Sequence, residues 1–344
     1  MRKIRYYTNQ FLSGMRQQTD PLADRAVKAL YDNRESLHFR KLLAILNQND
    51  YEIPSGLSPE VVEFLKRTRD LPSWADLHRM GKGAKFFARH APNLMSMLGL
   101  FSLPYCYAAA HGARVLYFSE RLRNDPDKRL AETGQYIFDV TSKNAFSSQG
   151  KAICSIQKVR LMHAAVRYHI QKSRQWNNGT WGKPINQEDM AGTNLAISLI
   201  ATRGLRKMGM RLSYNEVMDY MHLWNVAGCM MGIDERLLPD TGKEAFMLDK
   251  MIVTRQFESS EAGRILTASL LKYMTQQTTD AMTRLAPACM RFLLGDKVAD
   301  SLAIPKTETG GNITINGIRV LNMICNMGGY REKNRYRIYA RLGQ

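Results

Sequence analysis

The chain has 344 residues, of which 44% are hydrophobic and 9% aromatic, which excludes a disordered protein and allows one large domain or two smaller ones. Its five cysteines are scattered without a C-x-x-C pair, which excludes a zinc ribbon and covalent c-type haem attachment and suits a reducing cytoplasm. The formal net charge of +18 makes nucleic acid, an anionic lipid surface or an anionic ligand group a candidate partner.

The N-terminal stretch, residues 1–70, is predicted to form short helices wrapped on a core, because Pro54 and Pro59 interrupt it. No apolar run follows the basic residues at its start, so we expect no secretory signal and a cytoplasmic location. Residues 71–305 are expected to form a helical core and residues 306–344 a C-terminal extension, all within one compact domain.

An apolar stretch at residues 93–110, NLMSMLGLFSLPYCYAAA, is about as long as a minimal membrane span. Pro104 and several small polar residues interrupt it, and His111 and Arg114 follow closely. These features favour a buried helix over a transmembrane helix.

Three helix starts and one hairpin can be predicted further along the chain. Pro126, preceded by Asn-Asp, opens a helix to about residue 142, and Pro184, followed by acidic residues, opens another towards residue 206. Ser213 and Glu216 have the spacing of a capping box, and their helix should end near residue 228 or 232. Two glycine-containing turns flank short β-branched alternation at residues 309–320, which predicts a small β-hairpin.

Basic residues are distributed along the whole sequence rather than gathered in one segment. Nucleic-acid binding calls for a basic stripe interleaved with exposed aromatic residues, or a recognisable reading module, and the sequence pattern indicates neither. We therefore expect no nucleic-acid partner. A solvated basic surface and loose peripheral attachment to an anionic membrane both stay open.

The helix predicted over residues 155–172 carries a histidine in its apolar stripe. The stripe runs through Ile156, Val159, His163, Val166 and Ile170 in steps of three and four residues, so the imidazole is expected to face the core. An imidazole in that place is either hydrogen-bonded within the core or a ligand of a metal, including haem iron.

Two arginines lie one turn on either side of that histidine and on nearly the same face. Arg160 and Arg167 could pair with haem propionates, since guanidinium groups bind carboxylates well. Alternatively, they are ordinary arginines whose stems cover apolar surface.

The helix that starts at Pro126 has a hydroxyl in its apolar stripe. Leu130, Thr133, Ile137 and Val140 form the stripe, and Arg129 lies on an adjoining face. An inward threonine beside a glycine leaves room for a flat group or for dioxygen. Alternatively, the Thr133 hydroxyl binds a carbonyl of its own helix.

In order and spacing, these motifs resemble those of the latex clearing proteins, or rubber oxygenases, and the MpaB-type oxygenases. The motifs are R-x-x-x-T at residues 129–133, VRLMHAAVR at 159–167, AGTNL at 191–195, the segment 220–233 and a closing segment at 295–305. The resemblance covers residues 70 to 305.

The resemblance implies an all-α, globin-like helical core with additional N- and C-terminal helices and one non-covalent haem b. His163 matches the iron ligand, Arg129 and Thr133 match residues that line the distal side, and Arg160, Arg167, Thr193 and His222 match positions close to the haem. Enzymes of this family cleave carbon–carbon double bonds of isoprenoid chains with dioxygen.

One position departs from the pattern of the latex clearing proteins. Those enzymes have a lysine immediately before the threonine, where this chain has Glu132, and Glu120 is out of register with their upstream acidic base. Rubber itself is therefore not the expected substrate. Glu132 is either a solvated helix residue or a general base that carries protons.

The sequence thus predicts a haem b-dependent oxygenase that acts with dioxygen on an unsaturated apolar molecule, such as an isoprenoid or acyl chain. Its catalytic residues would be Arg129, Thr133 and Glu132. A haem-binding carrier or sensor without oxygenase turnover is the main alternative. A haem-free helical scaffold that binds membrane surfaces is the third, and it rests on the net charge alone.

Overall fold

The structure is a computed structural model that describes residues 4–32, 36–119, 126–276, 280–306 and 315–316. In chain order its helices are α1 (Asn9–Arg16), α2 (Pro21–Asp32), α3 (Ser36–Ile45), α4 (Pro59–Arg67), α5 (Leu77–Met97), α6 (Leu103–Ala108), α7 (Ala110–Phe118), α8 (Pro126–Thr141), α9 (Ala152–Lys172), α10 (Asn178–Trp181), α11 (Gln187–Leu195), α12 (Ala201–Lys207), α13 (Tyr214–Met230), α14 (Gly242–Gln256), α15 (Glu261–Gln276), α16 (Asp280–Leu294) and α17 (Asp296–Ser301). Two π-helical turns, Leu98–Ser102 and Ala196–Ile200, and a 3-10 turn, Glu235–Leu237, complete the regular structure.

The predicted all-α class is confirmed. Within the described ranges, β pairing is limited to one isolated bridge between Ala109 and Phe257. Of the hairpin predicted at 309–320, the structure describes Ile315 and Asn316, which have helical backbone, and the rest lies outside the described residues.

The helix starts expected from local chemistry are present. The Ser213 hydroxyl accepts from the Glu216 amide at 3.2 Å, and the Glu216 carboxylate accepts from the Ser213 amide at 3.2 Å, so the capping box is confirmed. Helix α13 ends at Met230, and Gly232 follows with φ +89°. The helix expected after Pro184 starts at Gln187 and reaches Lys207, with the π-helical turn Ala196–Ile200 inserted in it.

The described contacts divide the chain into two compact units, each built from three stretches of sequence. The first unit comprises Met1–Gly81, Glu132–Ala191 and His222–Met251, and the second comprises Lys82–Ala131, Gly192–Met221 and Ile252–Gln344. The division follows spatial contacts, and the boundaries predicted at residues 70 and 305 stay predictions.

The core of the first unit forms where α2 packs against α4 and α9. Leu30 of α2, Phe64 of α4, and Leu161 and Ala164 of α9 are all at most 2% exposed. Burying apolar side chains of this size is the main term that holds such helices together.

A buried amide links α9 to α4 and the preceding loop. The Tyr51 hydroxyl donates to Gln157 Oε1 at 2.8 Å, and Gln157 Nε2 donates to the Thr68 hydroxyl at 2.7 Å. Gln157 is 0% exposed, so these bonds satisfy polar atoms that water does not reach. They fix the N-terminal half of α9 against the first unit.

The core of the second unit contains the apolar stretch at residues 93–110. Leu94, Phe101 and Tyr107 from this stretch are at most 2% exposed, and Tyr107 packs in one cluster with Leu266 and Met290 of α15 and α16. The stretch is not one helix, because the first π-helical turn and the bend at Ala109 interrupt it. Across the described ranges, no helix combines the length and hydropathy needed to cross a membrane.

The two π-helical turns contact each other inside the second unit. The Ser102 hydroxyl donates to the Ala196 carbonyl at 2.6 Å, and Ser102 is 2% exposed. A π-helical turn changes the partners of backbone carbonyls, and this hydroxyl satisfies one of them. Gly204 lies nearby, where an added Cβ would stand 2.7 Å from Met97 Sδ.

Candidate functional site

The histidine singled out by the sequence lies in the middle of α9, on a face that is only half-buried. Leu161 and Ala164 lie on the face covered by α2 and are at most 1% exposed. His163 is half-buried, as are Val159 and Val166 in its stripe. Ile156 and Ile170 of the same stripe are at most 7% exposed, and His163 Nδ1 is itself buried. The imidazole therefore lies at the border of the core, on a different face of α9 from Leu161 and Ala164.

The guanidinium of Arg160 is held by a carboxylate from the start of α2. Its Nε and Nη2 donate to Asp20 at 2.5 and 2.9 Å, and its Nη1 donates to the Met230 carbonyl at 2.8 Å. The side chains of Asp20 and Arg160 are 3% and 11% exposed. Gly232 allows this approach, since a Cβ there would stand 3.0 Å from the guanidinium carbon.

Arg167 makes a second such pair, one turn after His163. Its Nε donates to Asp24 Oδ1 at 2.7 Å, and the arginine side chain is 3% exposed. The Thr19 hydroxyl donates to the other oxygen of that carboxylate at 2.8 Å. In this structure both arginines have carboxylate partners from α2 and its N-cap, and the expected pairing with haem propionates stays a prediction.

The residues predicted to line the distal side are distributed along α8. Glu132 and Thr133 are half-buried, while Ile137 and Val140 of the same stripe are at most 2% exposed. Sequence reasoning missed Tyr136, three residues after Thr133. Tyr136 is half-buried, and desolvation raises the pKa of its phenol well above its ordinary value.

Arg129, in the first turn of α8, is half-buried in the second unit near another tyrosine that the sequence analysis did not select. Tyr107 is 1% exposed, and its hydroxyl finds no hydrogen-bond partner among the described residues. Burial raises the pKa of the Tyr107 phenol, and the positive charge of Arg129 partly offsets that effect. The sequence does not indicate that a tyrosine within an apolar stretch will lie close to the positive charge of an arginine.

His222 and Thr193, the other residues predicted near the haem, have different surroundings. His222 Nε2 accepts from the Asp76 amide at 3.0 Å, and its ring meets the Trp74 ring edge-on at a centroid distance of 5.9 Å. His222 thus fixes the turn before α5, where the Asp76 carboxylate accepts from the first helical amides. Thr193 is exposed on α11.

Two cysteines of the first unit, the buried Cys154 and the half-buried Cys229, have the character of unreactive thiols. Burial raises the pKa of the Cys154 thiol, nine residues before His163, and that of Cys229 to about 11. Both thiols therefore stay protonated near neutral pH.

The side chains around His163 fit a b-type haem. The described residues contain no group of three or more His, Cys, Asp or Glu side chains that could hold a metal ion. Haem iron, in contrast, takes a single imidazole on its proximal side. His163 offers one between Val159 and Val166, and a half-buried apolar stripe suits the apolar face of a porphyrin.

Comparison with known proteins places this arrangement in a family. The family model described as "ER-bound oxygenase mpaB/B'/Rubber oxygenase, catalytic domain" matches residues 88–316. The chain belongs to this oxygenase family. The match confirms the resemblance predicted from the motif order, and the aligned range contains all eight residues selected from the sequence.

Two relatives of this oxygenase support the assignment. The rubber oxygenase of Streptomyces sp. (strain K30) is 28% identical over 289 residues, which are 83% of this chain and 71% of that protein. A solved structure of latex clearing protein in the closed state has a TM-score of 0.82 at 26% identity, and the match covers 90% of this chain and 84% of the other. The oxygenase thus shares the all-α fold of latex clearing protein.

Proposed function

We propose that this protein is a haem b-dependent oxygenase that uses dioxygen to attack a carbon–carbon double bond in an unsaturated apolar molecule. The observation that carries the proposal is the place of His163. It is a half-buried member of an apolar stripe of α9, in a chain that belongs to an oxygenase family. When bound, the haem would supply the redox chemistry that activates dioxygen.

The polar side chains of α8 would act on the oxygen and the substrate. The Thr133 hydroxyl can donate a hydrogen bond to an oxygen atom, and the Arg129 guanidinium can stabilise negative charge that develops there. The half-buried Glu132 carboxylate would be the group that accepts a proton from the substrate and returns it. Thr193 and His222 remain the proposed neighbours of the haem from α11 and α13.

The two arginines beside His163 would position the ligand helix. Asp20 and Asp24 hold Arg160 and Arg167 three residues before and four residues after the histidine. These pairs restrict rotation and sliding of α9 against α2, so the imidazole keeps one direction.

The substrate class follows from the names of the relatives and from one residue. Both relatives are named for rubber or latex, and rubber is a polyisoprene. We propose an isoprenoid or acyl chain smaller than the polymer, because Glu132 stands where latex clearing proteins have a lysine. The carboxylate changes both the charge and the proton chemistry beside the reacting group.

The haem ligand is tested by comparing two histidines of the same helix. His163→Ala should lose the stoichiometric haem b that a pyridine haemochrome assay measures in protein expressed with a haem supply. His169→Ala is the matched control, since His169 lies on α9 but is exposed, and it should retain haem. Full haem occupancy with an unchanged spectrum in His163→Ala would refute the assigned ligand.

Turnover is tested with a matched pair of hydrocarbons. Squalene contains isoprenoid double bonds, whereas squalane has the same skeleton without them. Oxygen consumption and carbonyl products with squalene alone would support the oxygenase. A haem-loaded protein that forms a stable ferrous complex but consumes neither compound, nor an unsaturated fatty acid, would be a carrier or sensor instead.

A further inference from the structure

Helix α5 presents a basic stripe on its exposed side. The helix contains no acidic residue, and Lys82, Lys85 and Arg89 follow one another at helical spacing. Lys82 and Lys85 are exposed, whereas Phe86 and Leu94 on other faces are at most 2% exposed. This side of α5 therefore carries positive charge with no compensating carboxylate of its own.

An ion pair brings a second group of cations next to that stripe, within the same compact unit. Arg89 Nη1 lies 2.5 Å from Glu216 Oε1 in the first turn of α13. Just before this turn, Arg211 is exposed, and the exposed Arg206 donates to the Leu212 carbonyl at 3.3 Å. The pair thus joins the α5 stripe to the segment that carries the two exposed arginines, and we define Lys82, Lys85, Arg89, Arg206 and Arg211 together as the basic edge.

The acidic residues close to the basic edge do not neutralise it. Glu216 is already paired with Arg89, and Asp219, one turn further along α13, is half-buried. The five cations exceed these two carboxylates by three charges.

An exposed aromatic side chain adjoins the same edge. Tyr214, at the start of α13 between Arg211 and Glu216, is 60% exposed. Tyrosine is enriched where proteins meet the headgroup region of a bilayer, since its ring is apolar and its hydroxyl is polar. A cluster of lysines and arginines with one such ring is typical of a surface that binds anionic lipid.

We propose that the basic edge, together with Tyr214, docks on the surface of an anionic lipid bilayer. Charge complementarity carries the assignment, because phosphate and carboxylate headgroups supply the negative charges that this edge lacks. Single-stranded nucleic acid is the less suitable occupant, since its binding relies on several aromatic rings that stack on successive bases. Docking at this edge does not depend on the haem or on the reaction.

The test measures binding of the whole protein to vesicles of phosphatidylcholine with about 30% phosphatidylserine and to pure phosphatidylcholine. Binding to the anionic vesicles alone is expected, and it should fall strongly between about 0.1 M and about 0.5 M salt. Lys82→Gln/Lys85→Gln should lower the partition coefficient about 25-fold, because each basic residue near the surface contributes about fivefold.

A matched double variant distinguishes the effect of the basic edge from the effect of the protein's net charge. Lys66→Gln/Lys151→Gln also removes two exposed positive charges, but from the first unit. Vesicle binding within twofold of the unaltered protein is expected for this variant. An equal loss for both double variants would overturn the proposal, because it would show that net charge alone drives the attachment.

A substitution of Tyr214 distinguishes contact with lipid from general binding of polyanions. Tyr214→Ser should weaken binding to anionic vesicles and leave binding to heparin unchanged, since heparin offers charge without an apolar interior. Equal effects on both ligands would overturn the role of the ring. Tighter binding to a single-stranded oligonucleotide than to vesicles at the same salt concentration would replace lipid by nucleic acid as the occupant.

Discussion

The carboxylate of Asp20 keeps the guanidinium of Arg160 paired in a site that water barely reaches, three residues before the proposed haem ligand. The two side chains are 3% and 11% exposed, and two hydrogen bonds join them. Asp20→Asn removes the charge but keeps an oxygen, so the acceptor for the Ala23 amide at 3.3 Å remains available. The substitution therefore tests the ion pair separately from the cap of α2.

The expected loss follows from the burial of both partners. Removing one member of a buried pair costs about 3–5 kcal/mol, because the other charge stays desolvated. Arg160 keeps its hydrogen bond to the Met230 carbonyl, so we expect the lower end of that range, about 3 kcal/mol. Total stabilities are about 5–15 kcal/mol, which makes such a loss easy to measure.

Guanidinium denaturation gives the free energy of unfolding for each variant. Glu63→Gln is the control, since the pair of Arg67 and Glu63 is 65% and 41% exposed and should contribute about 0–1 kcal/mol. A loss below about 1 kcal/mol in Asp20→Asn would refute the reasoning, because it would mean that the guanidinium finds water or another partner.

Three further predictions concern stability. Gly204→Ala should lower the free energy of unfolding by about 1–3 kcal/mol, because the new Cβ would stand 2.7 Å from a methionine sulfur. Gly81→Ala is its control and should raise the free energy of unfolding by about 0.5–1 kcal/mol, because a Cβ there has no atom within 4 Å. Thermal or chemical denaturation measures both. Ser213→Ala should cost about 1 kcal/mol at pH 7. Burial raises the pKa of Glu216, but the Ser213 hydrogen bonds and the charge of Arg89 outweigh burial and bring this pKa below its ordinary value. The contribution of the ionised carboxylate is therefore present above the unfolded-state pKa and lost as the pH falls through the folded-state pKa, so an undiminished cost of Ser213→Ala at low pH would contradict this account. Tyr107→Phe should leave the free energy of unfolding unchanged or raise it by up to about 1 kcal/mol, because the hydroxyl has no partner among the described residues, and a clear loss would reveal one.

Helix boundaries were predictable wherever a few neighbouring residues decide them. The hydroxyl of Ser213 and the carboxylate of Glu216 meet across a single turn, so the capping box acts whatever packs around it. The start at Pro126 follows in the same way from the fixed φ of proline. The π-helical turn Ala196–Ile200 was not predicted, and its Ala196 carbonyl accepts a hydrogen bond from Ser102, a residue of a distant segment that local sequence does not reveal.

The basic edge could not be predicted from the distribution of charged residues along the sequence. Basic residues are spread along the sequence, and the pattern indicated no stripe with an exposed aromatic ring. In the structure, the pair between Arg89 and Glu216 joins segments that are 127 residues apart, and the exposed Tyr214 lies two residues before Glu216. This pairing decides which basic residues lie on the same surface, and it cannot be predicted from the sequence alone.

For the candidate site, too, some features were predictable from the sequence and others depended on tertiary packing. Helical periodicity selected His163, because it depends on residues close together along the chain, and the order of the motifs selected the family, because order and spacing are properties of the sequence itself. Tertiary packing decided that α2 covers the Leu161 face, which leaves His163 half-buried, and that Arg160 pairs with Asp20, 140 residues away. Periodicity identifies the apolar faces of a helix, but the partner that covers each face is set by long-range contacts, and those contacts form only when the chain folds.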